Sequence, residues 1–581
     1  MSKIRDNSVS FLTKFRYLSK FLKPRDKALI AIATFLLVIS LAIFGFQYYQ
    51  QITIPVPAQG GQYKEGIAID SAGWPAKINP LLAIARPTDE LLASLIYSSL
   101  FTYDYNGQLI GDLVEKYELE DDGRRYVLHL RPQVTWHDGQ PLTAQDVVFT
   151  ISLLQNQNYN PVSAKEWDQE KIKVKALDDQ TVEIKLTEPY APFLNKLTFG
   201  ILPKHLWSNI PEDKFSLVEL NLKPIGSGPY AFDNLKQDKQ GDIISYQLVA
   251  NQNYYQHKPF IEKIIFHFYP NQPAVLEAYN HQEIDGFGST DYQKVTDFEN
   301  NPESQVVSLK VPQYFSVLFN QSTSLPLADK QVRQALSLAT NRDEIIAQVF
   351  KGHADKIYSP LLRPFINQDF NFDSKLTAYD LSRAAELLDK AGWKKKDGSP
   401  WRQKDNKDLK IQLTTVNTDA LVQTAELLKN QWEKIGVQTE IIPVENQLEL
   451  NQKYLTPRKF EALLSGIQYS GNDPNLFFFW HSSGKKSPGF NFTLYDNEEV
   501  DKLLEESKKA KSVEEKNKKY IEASEKILAD APAIFLYSPH YLYILDQKIK
   551  GVDRLKAIIS PARRLQNVTE WYVKTKRVRK K

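Results

Sequence analysis

Nine histidines, 70 acidic residues and no cysteine bound the chemistry open to this chain. Without cysteine there is no disulfide, thiolate zinc site, iron–sulfur cluster, cysteine nucleophile or lipid-modified N-terminal cysteine. No histidine stands in the His-Glu-x-x-His pattern of zinc proteases. Gly226-Ser227-Gly228 lacks the Gly-x-Ser-x-Gly spacing that exposes a nucleophilic serine on a strand-to-helix elbow. Gly286-Phe287-Gly288 lacks the third glycine of a dinucleotide loop, and Gly484-Lys485-Lys486-Ser487 lacks the earlier glycine of a phosphate loop. No Asp-rich calcium loop is present. Paired carboxylates can be drawn from the acids in many ways, and solvated surface accounts for most of them. No metal, cofactor or catalytic residue is expected.

The abundant chemistry is aromatic: 29 Tyr, 30 Phe and 9 Trp. Cores take most such residues, but aromatic rings also line ligand clefts, because they offer large contact area with few rotors to freeze. Phe477-Phe478-Phe479-Trp480, after Asp473-Pro474, is denser than a core strand requires. These features favour a binder over an enzyme.

Positioning such a cleft takes a large scaffold. The 581 residues are 42% hydrophobic and 25% charged, ordinary for a folded protein of several units. Net charge is +3, yet residues 1–27 carry +6 and the last eight residues another +6, which leaves −9 between them. An acidic body argues against nucleic acid as a partner.

Ala28 to Phe46 is a run of nineteen residues without a charge. At about 1.5 Å per residue its helix reaches about 28 Å, close to the hydrocarbon thickness of a bilayer. Eight Lys/Arg precede it and none occurs between Gln47 and Tyr63, so the N-terminus is expected in the cytoplasm and the rest outside. The nearest candidate cleavage site, Val56-Pro57-Ala58, lies twelve residues past Phe46, which favours a retained anchor over a cleaved leader. Phe11, Phe15, Leu18 and Leu22, with basic residues between them, have the spacing of a helix lying on the inner leaflet, or belong to a disordered basic tail. The expected organisation is a basic segment 1–27, an anchor 28–48, a tether 49–61, a body 62–572 and a basic tail 573–581.

Within the body, strand-like and helix-like stretches alternate. Arg125–Leu130, Lys171–Val174, Thr181–Leu186 and Lys263–Phe268 read as strands. Leu381–Ala391, Ala420–Ile435 and Val500–Leu528 carry helical periodicity, and Gly392 and Gly436 sit where helices end. The fold class is α/β.

From Trp136-His137-Asp138-Gly139-Gln140-Pro141-Leu142-Thr143-Ala144-Gln145-Asp146 to Val147-Val148-Phe149, the chain resembles the signature of family 5 extracellular solute-binding proteins, the peptide- and nickel-binding components of ABC importers. The resemblance continues in order through Asn79-Pro80-Leu81, Gly226-Ser-Gly-Pro-Tyr230, Asn253-Tyr254-Tyr255, Glu283-Ile284-Asp285, Val332-Arg333-Gln334-Ala335-Leu336, Ala391-Gly392-Trp393 and Asp473-Pro474, over roughly 62–555. The signature itself reads as scaffold: Asp-Gly favours a tight turn, and Thr143 can cap the following helix. Arg333 reads as a structural ion-pair partner.

The resemblance implies a two-lobed, type II periplasmic-binding-protein-like fold with an extra subdomain, after one transmembrane helix. Lobe one would use about 62–100, 205–310 and 540–572, the extra subdomain about 101–204, and lobe two about 313–539. The implied function is capture of a solute, most readily a peptide, for an ABC permease and its ATPase subunits by a monomeric ectodomain. A sensor or scaffold role, a non-peptide solute such as an oligosaccharide, and an external hydrolase are the alternatives. By family position Ser289, Thr290, Phe315, Tyr469, Ser470, Asn472 and Asp473 should face the ligand. The family's peptide binders anchor an α-ammonium on an aspartate where this chain has Ser470, and carry a tryptophan where it has Ile467.

Overall fold

A computed structural model describes residues 22–69, 73–83, 86–158, 167–168, 170–366, 368–469 and 471–580. The chain forms two compact units, one of Met1–Gln59 with Lys574–Lys581, the other of Gly60–Val573.

In the first unit a helix spans Pro24–Ile52, longer at both ends than the charge-free run. Pro24 suits the first turn, where its missing N–H costs nothing, and Asp26 faces the positive helix end. None of its residues is buried, and its apolar side chains stand exposed along its length. Thr53 ends it and opens a strand, Thr53–Ala58, inside the stretch expected to be a simple tether. The basic tail is a strand as well: Lys574–Arg579 pairs antiparallel with Thr53–Ala58, Thr53 opposite Arg579 and Ala58 opposite Lys574. The backbone N–H of Lys580 also donates to the Ile52 carbonyl. Pro55 and Pro57, two residues apart, have the same parity and point their N–H-less edge away from this ladder, where proline is tolerated.

The second unit is built on two mixed sheets. The seven-stranded sheet runs Ser304–Leu309, Tyr541–Asp546, Gly286–Ser289, Gln62–Ala68, Lys263–Tyr269, Ile243–Ala250, Tyr230–Gln237. Its central strand Gln62–Ala68 is parallel to both neighbours, and its other pairings are antiparallel. The six-stranded sheet runs Ala354–Lys356, Ala533–Pro539, Gln313–Phe319, Ala462–Gln468, Lys410–Val416, Gln438–Val444. The chain crosses between the sheets through residues 310–312 and through His540 alone. A four-stranded antiparallel sheet, Val114–Glu120, Arg125–Leu130, Thr181–Leu186 and Ile172–Ala176, stands apart from both.

Local chemistry explains several elements. Thr143 and Asp146 form a capping box at the start of helix Ala144–Leu154, and Gly139 takes a left-handed φ of 87° in the turn before it. His137 accepts from Gly226 N–H at Nδ1 (3.2 Å) and donates from Nε2 to Gly228 O (3.1 Å), so two signature stretches fasten each other. Burial lowers the His137 pKa. Arg333 is buried, but it donates to the carbonyls of Leu327, Ala328, Asp530 and Ala531 instead of pairing with a carboxylate, because two chain turns point their free C=O groups at it. The Phe477–Trp480 run belongs to a short helix, Leu476–Trp480: Trp480 is buried, while Phe478 is exposed and stacks on Phe490 at 4.2 Å. The long period over Val500–Leu528 resolves into two helices, Glu498–Lys508 and Val513–Asp530, the second capped by Ser512.

Candidate functional site

A cavity of about 640 Å³ opens where the two sheets' layers meet. One wall comes from the C-terminal ends of Gln62–Ala68 and Gly286–Ser289, which contribute Ala68 and Ser289. A second part of the lining comes from the first turns of helix Asp419–Glu433, which contribute Asp419 and Gln423. The start of helix Pro87–Ile96 and the 561–564 turn complete it. The crevice beyond the carboxyl ends of strands is where open α/β sheets place ligands, because the loops diverge there and backbone groups lie free.

The floor is held by a polar network buried on the central strand. Glu65, on the same face as Tyr63, is fully enclosed. Arg564 Nε donates to Glu65 Oε1 at 2.6 Å, and the Tyr543 hydroxyl donates to Oε2 at 2.8 Å, joined there by the Tyr63 hydroxyl. Burial disfavours the Arg564 charge, but the oxygens of Tyr541, Glu65 and Tyr543 outweigh it and hold the guanidinium protonated. Burial, then the Glu65 charge, pushes the Tyr543 pKa well up, so both rings stay neutral donors. Arg564 lines the cavity with Nε and Nη1 engaged. Gly286 and Gly288 make this arrangement possible: a Cβ on either would collide with the Tyr63 or Tyr541 hydroxyl.

Of the residues expected to face a ligand, Ser289 and Thr290 line the cavity, with Ser289 Oγ accepting from Asp291 N–H at 3.0 Å. Phe315, Tyr469, Asn472 and Asp473 do not line it. Phe315 stacks on Tyr537 (5.5 Å, 26°), and Tyr469 is buried with its hydroxyl donating to Pro360 O. Asn472 Nδ2 donates to Gly107 O at 3.5 Å, which ties this loop to the hairpin Phe101–Tyr103/Leu109–Gly111. Asp473 is buried, accepts from Asn475 N–H and pairs with Lys516. Ser470 lies outside the described residues.

Asp291, Asp419, Gln423 and Arg564 line the cavity without having been singled out in the sequence. Asp419 had a usable signal, since it stands at the head of a periodic helix that directly follows a strand. Arg564 had none: its carboxylate partner, Glu65, is 499 positions away in the chain.

The two crossings between the sheets carry their own cluster. Ser308 Oγ lies 2.8 Å from His540 Nδ1 and 3.1 Å from His353 Nδ1. Asp355 meets Lys310 at 2.8 Å and His540 Nε2 at 3.4 Å. Burial would raise its pKa, but hydrogen bonds from His540 and Lys310 hold it down at about 2.

A family model described as bacterial extracellular solute-binding proteins, family 5 Middle, matches residues 108–489. The oligopeptide-binding protein AppA of Bacillus subtilis (strain 168) is 29% identical over 523 residues, 89% of this chain and 92% of that protein. Its structure in complex with a nonapeptide superposes with a TM-score of 0.63 at 28% identity, covering 89% of this chain and 99% of that one. The substrate-binding protein CtaP of Listeria monocytogenes superposes with a TM-score of 0.73 at 25% identity, covering 88% and 99%. With its family signature, its two-lobed type II binding-protein fold and a cavity between two sheet layers, this chain belongs to the family 5 bacterial extracellular solute-binding proteins.

Proposed function

We propose that this protein is a membrane-tethered extracytoplasmic receptor that encloses a peptide between its lobes and delivers it to an ABC permease. The carrying observation is the cavity of about 640 Å³, within the range of small-ligand sites, with one wall from each sheet's layer and two single-chain crossings that can serve as hinges. In this reading the protein transforms nothing, and partner ATPase subunits drive transport. The helix Pro24–Ile52 is retained as the anchor, with residues 1–23 in the cytoplasm, since it is long and apolar enough to cross a bilayer and its basic flank precedes it.

The charges around the cavity favour a cationic group on the ligand. Arg564 is neutralised by Glu65, whereas Asp291 and Asp419 line the cavity and are exposed, Asp291 with Lys294 Nζ 3.8 Å from its Oδ2 and Asp419 with no ion pair among the described residues. We assign to these two carboxylates the α-ammonium recognition that Ser470 cannot supply by charge, with Ser289, Thr290 and Gln423 orienting amide groups. Calorimetry on the full-length protein in detergent, with short peptides bearing free or acetylated N-termini, tests this. The free amines should bind about ten-fold or more tighter, because hydrogen bonds to charged groups contribute about 1.5–3 kcal/mol. Equal affinity would overturn the ammonium assignment. A Thr290→Trp variant that still bound peptide at wild-type affinity would overturn the cavity as the site.

A further inference from the structure

The first unit pairs an uncharged strand at the helix end with the basic tail of the chain in a way that the solute-binding role leaves unused. Between Gln47 and Gln59 there is no charged residue, and from Lys574 to Lys581 there are six Lys/Arg and no acid. The antiparallel ladder sets this positive strand directly against the end of the apolar helix. Arg577 is spent on the junction: it donates to the carbonyls of Gln50 (3.1 Å) and Thr53 (2.9 Å) and to Thr53 Oγ1 (2.8 Å), with its guanidinium 5.7 Å from the Tyr49 ring centre. It thereby caps the negative C-terminal end of the helix. Lys574, Lys576, Arg579 and Lys580 are exposed, and their side chains have no ion-pair or hydrogen-bond partner among the described residues.

Such a ribbon is poorly stable by itself. Two strands, two prolines and a row of like charges leave little to hold it in water. Its height along the helix says what would compensate. Thr53 stands seven positions after Phe46, the last of the charge-free run, which lifts the start of the strand by about 10 Å. Each headgroup layer adds only about 5–8 Å to a hydrocarbon core of about 30 Å, so Thr53 and Arg579 opposite it stand at the outer edge of that layer, within reach of long basic side chains. Tyr48 and Tyr49, both exposed, lie just below, where aromatic side chains mark a membrane–water boundary.

We propose that the Thr53–Ala58/Lys574–Arg579 ribbon is a docking surface for anionic phospholipid headgroups of the outer leaflet, its exposed lysines and Arg579 meeting lipid phosphates while Arg577 locks the strand to the helix end. The proposal rests on the anchor reading above and adds a second membrane contact to it, made by the C-terminus of the chain.

The test uses the full-length protein in nanodiscs of phosphatidylcholine alone or mixed with phosphatidylglycerol, and follows amide hydrogen exchange of 53–58 and 574–579. Exchange should slow about five-fold for each basic residue that engages lipid, the equivalent of about 1 kcal/mol apiece, and high salt should erase the difference between the lipids. Substituting Lys574, Lys576, Arg579 and Lys580 by Gln should abolish the lipid dependence, whereas changing the three lysines to Arg should keep it. Inorganic phosphate added to phosphatidylcholine discs should not reproduce the protection; equal protection there would overturn the lipid assignment. A chain that enters both discs and exchanges at the same rate in each overturns the docking surface alone. A chain that enters neither disc overturns the anchor, and the proposal with it.

Discussion

Lys516 Nζ lies 3.1 Å from Asp473 Oδ1, and their side chains are only 5% and 10% exposed. The single acidic residue of the 469–473 loop is thus occupied from within the protein, by a lysine of helix Val513–Asp530. Breaking such a pair strands a charge in a poorly solvated place, which costs about 3–5 kcal/mol. Asp473→Asn and Lys516→Met should each lower stability by about that amount in denaturant titration, and the double variant should recover much of it. Whatever affinity Asp473→Asn loses should be lost equally for cationic and neutral ligands. A loss confined to cationic ligands in calorimetry would show that Asp473 reads the ligand directly.

Glu65 is the counter-charge that lets Arg564 stand at the cavity without attracting anions. Glu65→Gln should destabilise the fold and also change selectivity, raising the affinity for peptides with acidic side chains relative to neutral ones. Competition binding with matched Glu- and Gln-containing peptides measures the shift. An unchanged ratio would mean that Arg564 does not reach the ligand.

How much of this was legible beforehand depended on the range of the signal. The Thr143 cap, the glycines after two helices (Gly392 at φ 86°, Gly436 at φ 81°) and the apolar run at 28–46 are local features, and each has its structural counterpart. The pairing of Lys574–Arg579 with Thr53–Ala58 joins positions more than 500 apart, and short polar strands with two prolines carry no periodicity to announce it. The Glu65–Arg564 contact, 499 positions apart, and the Asp530 and Ala531 carbonyls, nearly 200 positions from Arg333, were likewise beyond the range of local patterns. Asp473 showed its type but not its partner, since nothing near it in the chain points to Lys516.

Gly288 belongs to a strand that the Tyr541 hydroxyl approaches closely. Gly288→Ala should force that ring aside and cost about 1–3 kcal/mol, as overpacking does, and because Tyr541 lines the cavity, peptide affinity should fall with it. Gly241→Ala, at a turn where a Cβ meets nothing within 4 Å, controls for the loss of glycine alone, although its φ of 89° adds its own strain. Thermal melts and calorimetry on both variants separate the two effects.

Asp355, at the crossings between the sheets, has its pKa held at about 2 against burial by His540 and Lys310. A depressed carboxylate stabilises the fold fully above its unfolded pKa of about 4, and that contribution fades as the pH falls towards about 2. The side chain is 38% exposed, so solvent screening limits the effect to about 1 kcal/mol at most. Asp355→Asn should therefore lower the melting temperature slightly at neutral pH and flatten its decline between about pH 4 and pH 2. An identical pH profile in the variant would show that the pair contributes nothing to stability.

The central claim is that the protein holds an intact peptide. Full-length protein in detergent, incubated with mixed short peptides and, separately, with mixed oligosaccharides, is freed of unbound solute, and what it retains is identified by mass spectrometry. The account predicts about one uncleaved peptide per protein from the first mixture, absent in the Thr290→Trp variant, and nothing from the second. Retention of oligosaccharide in place of peptide, or peptide fragments accumulating with turnover, would contradict it.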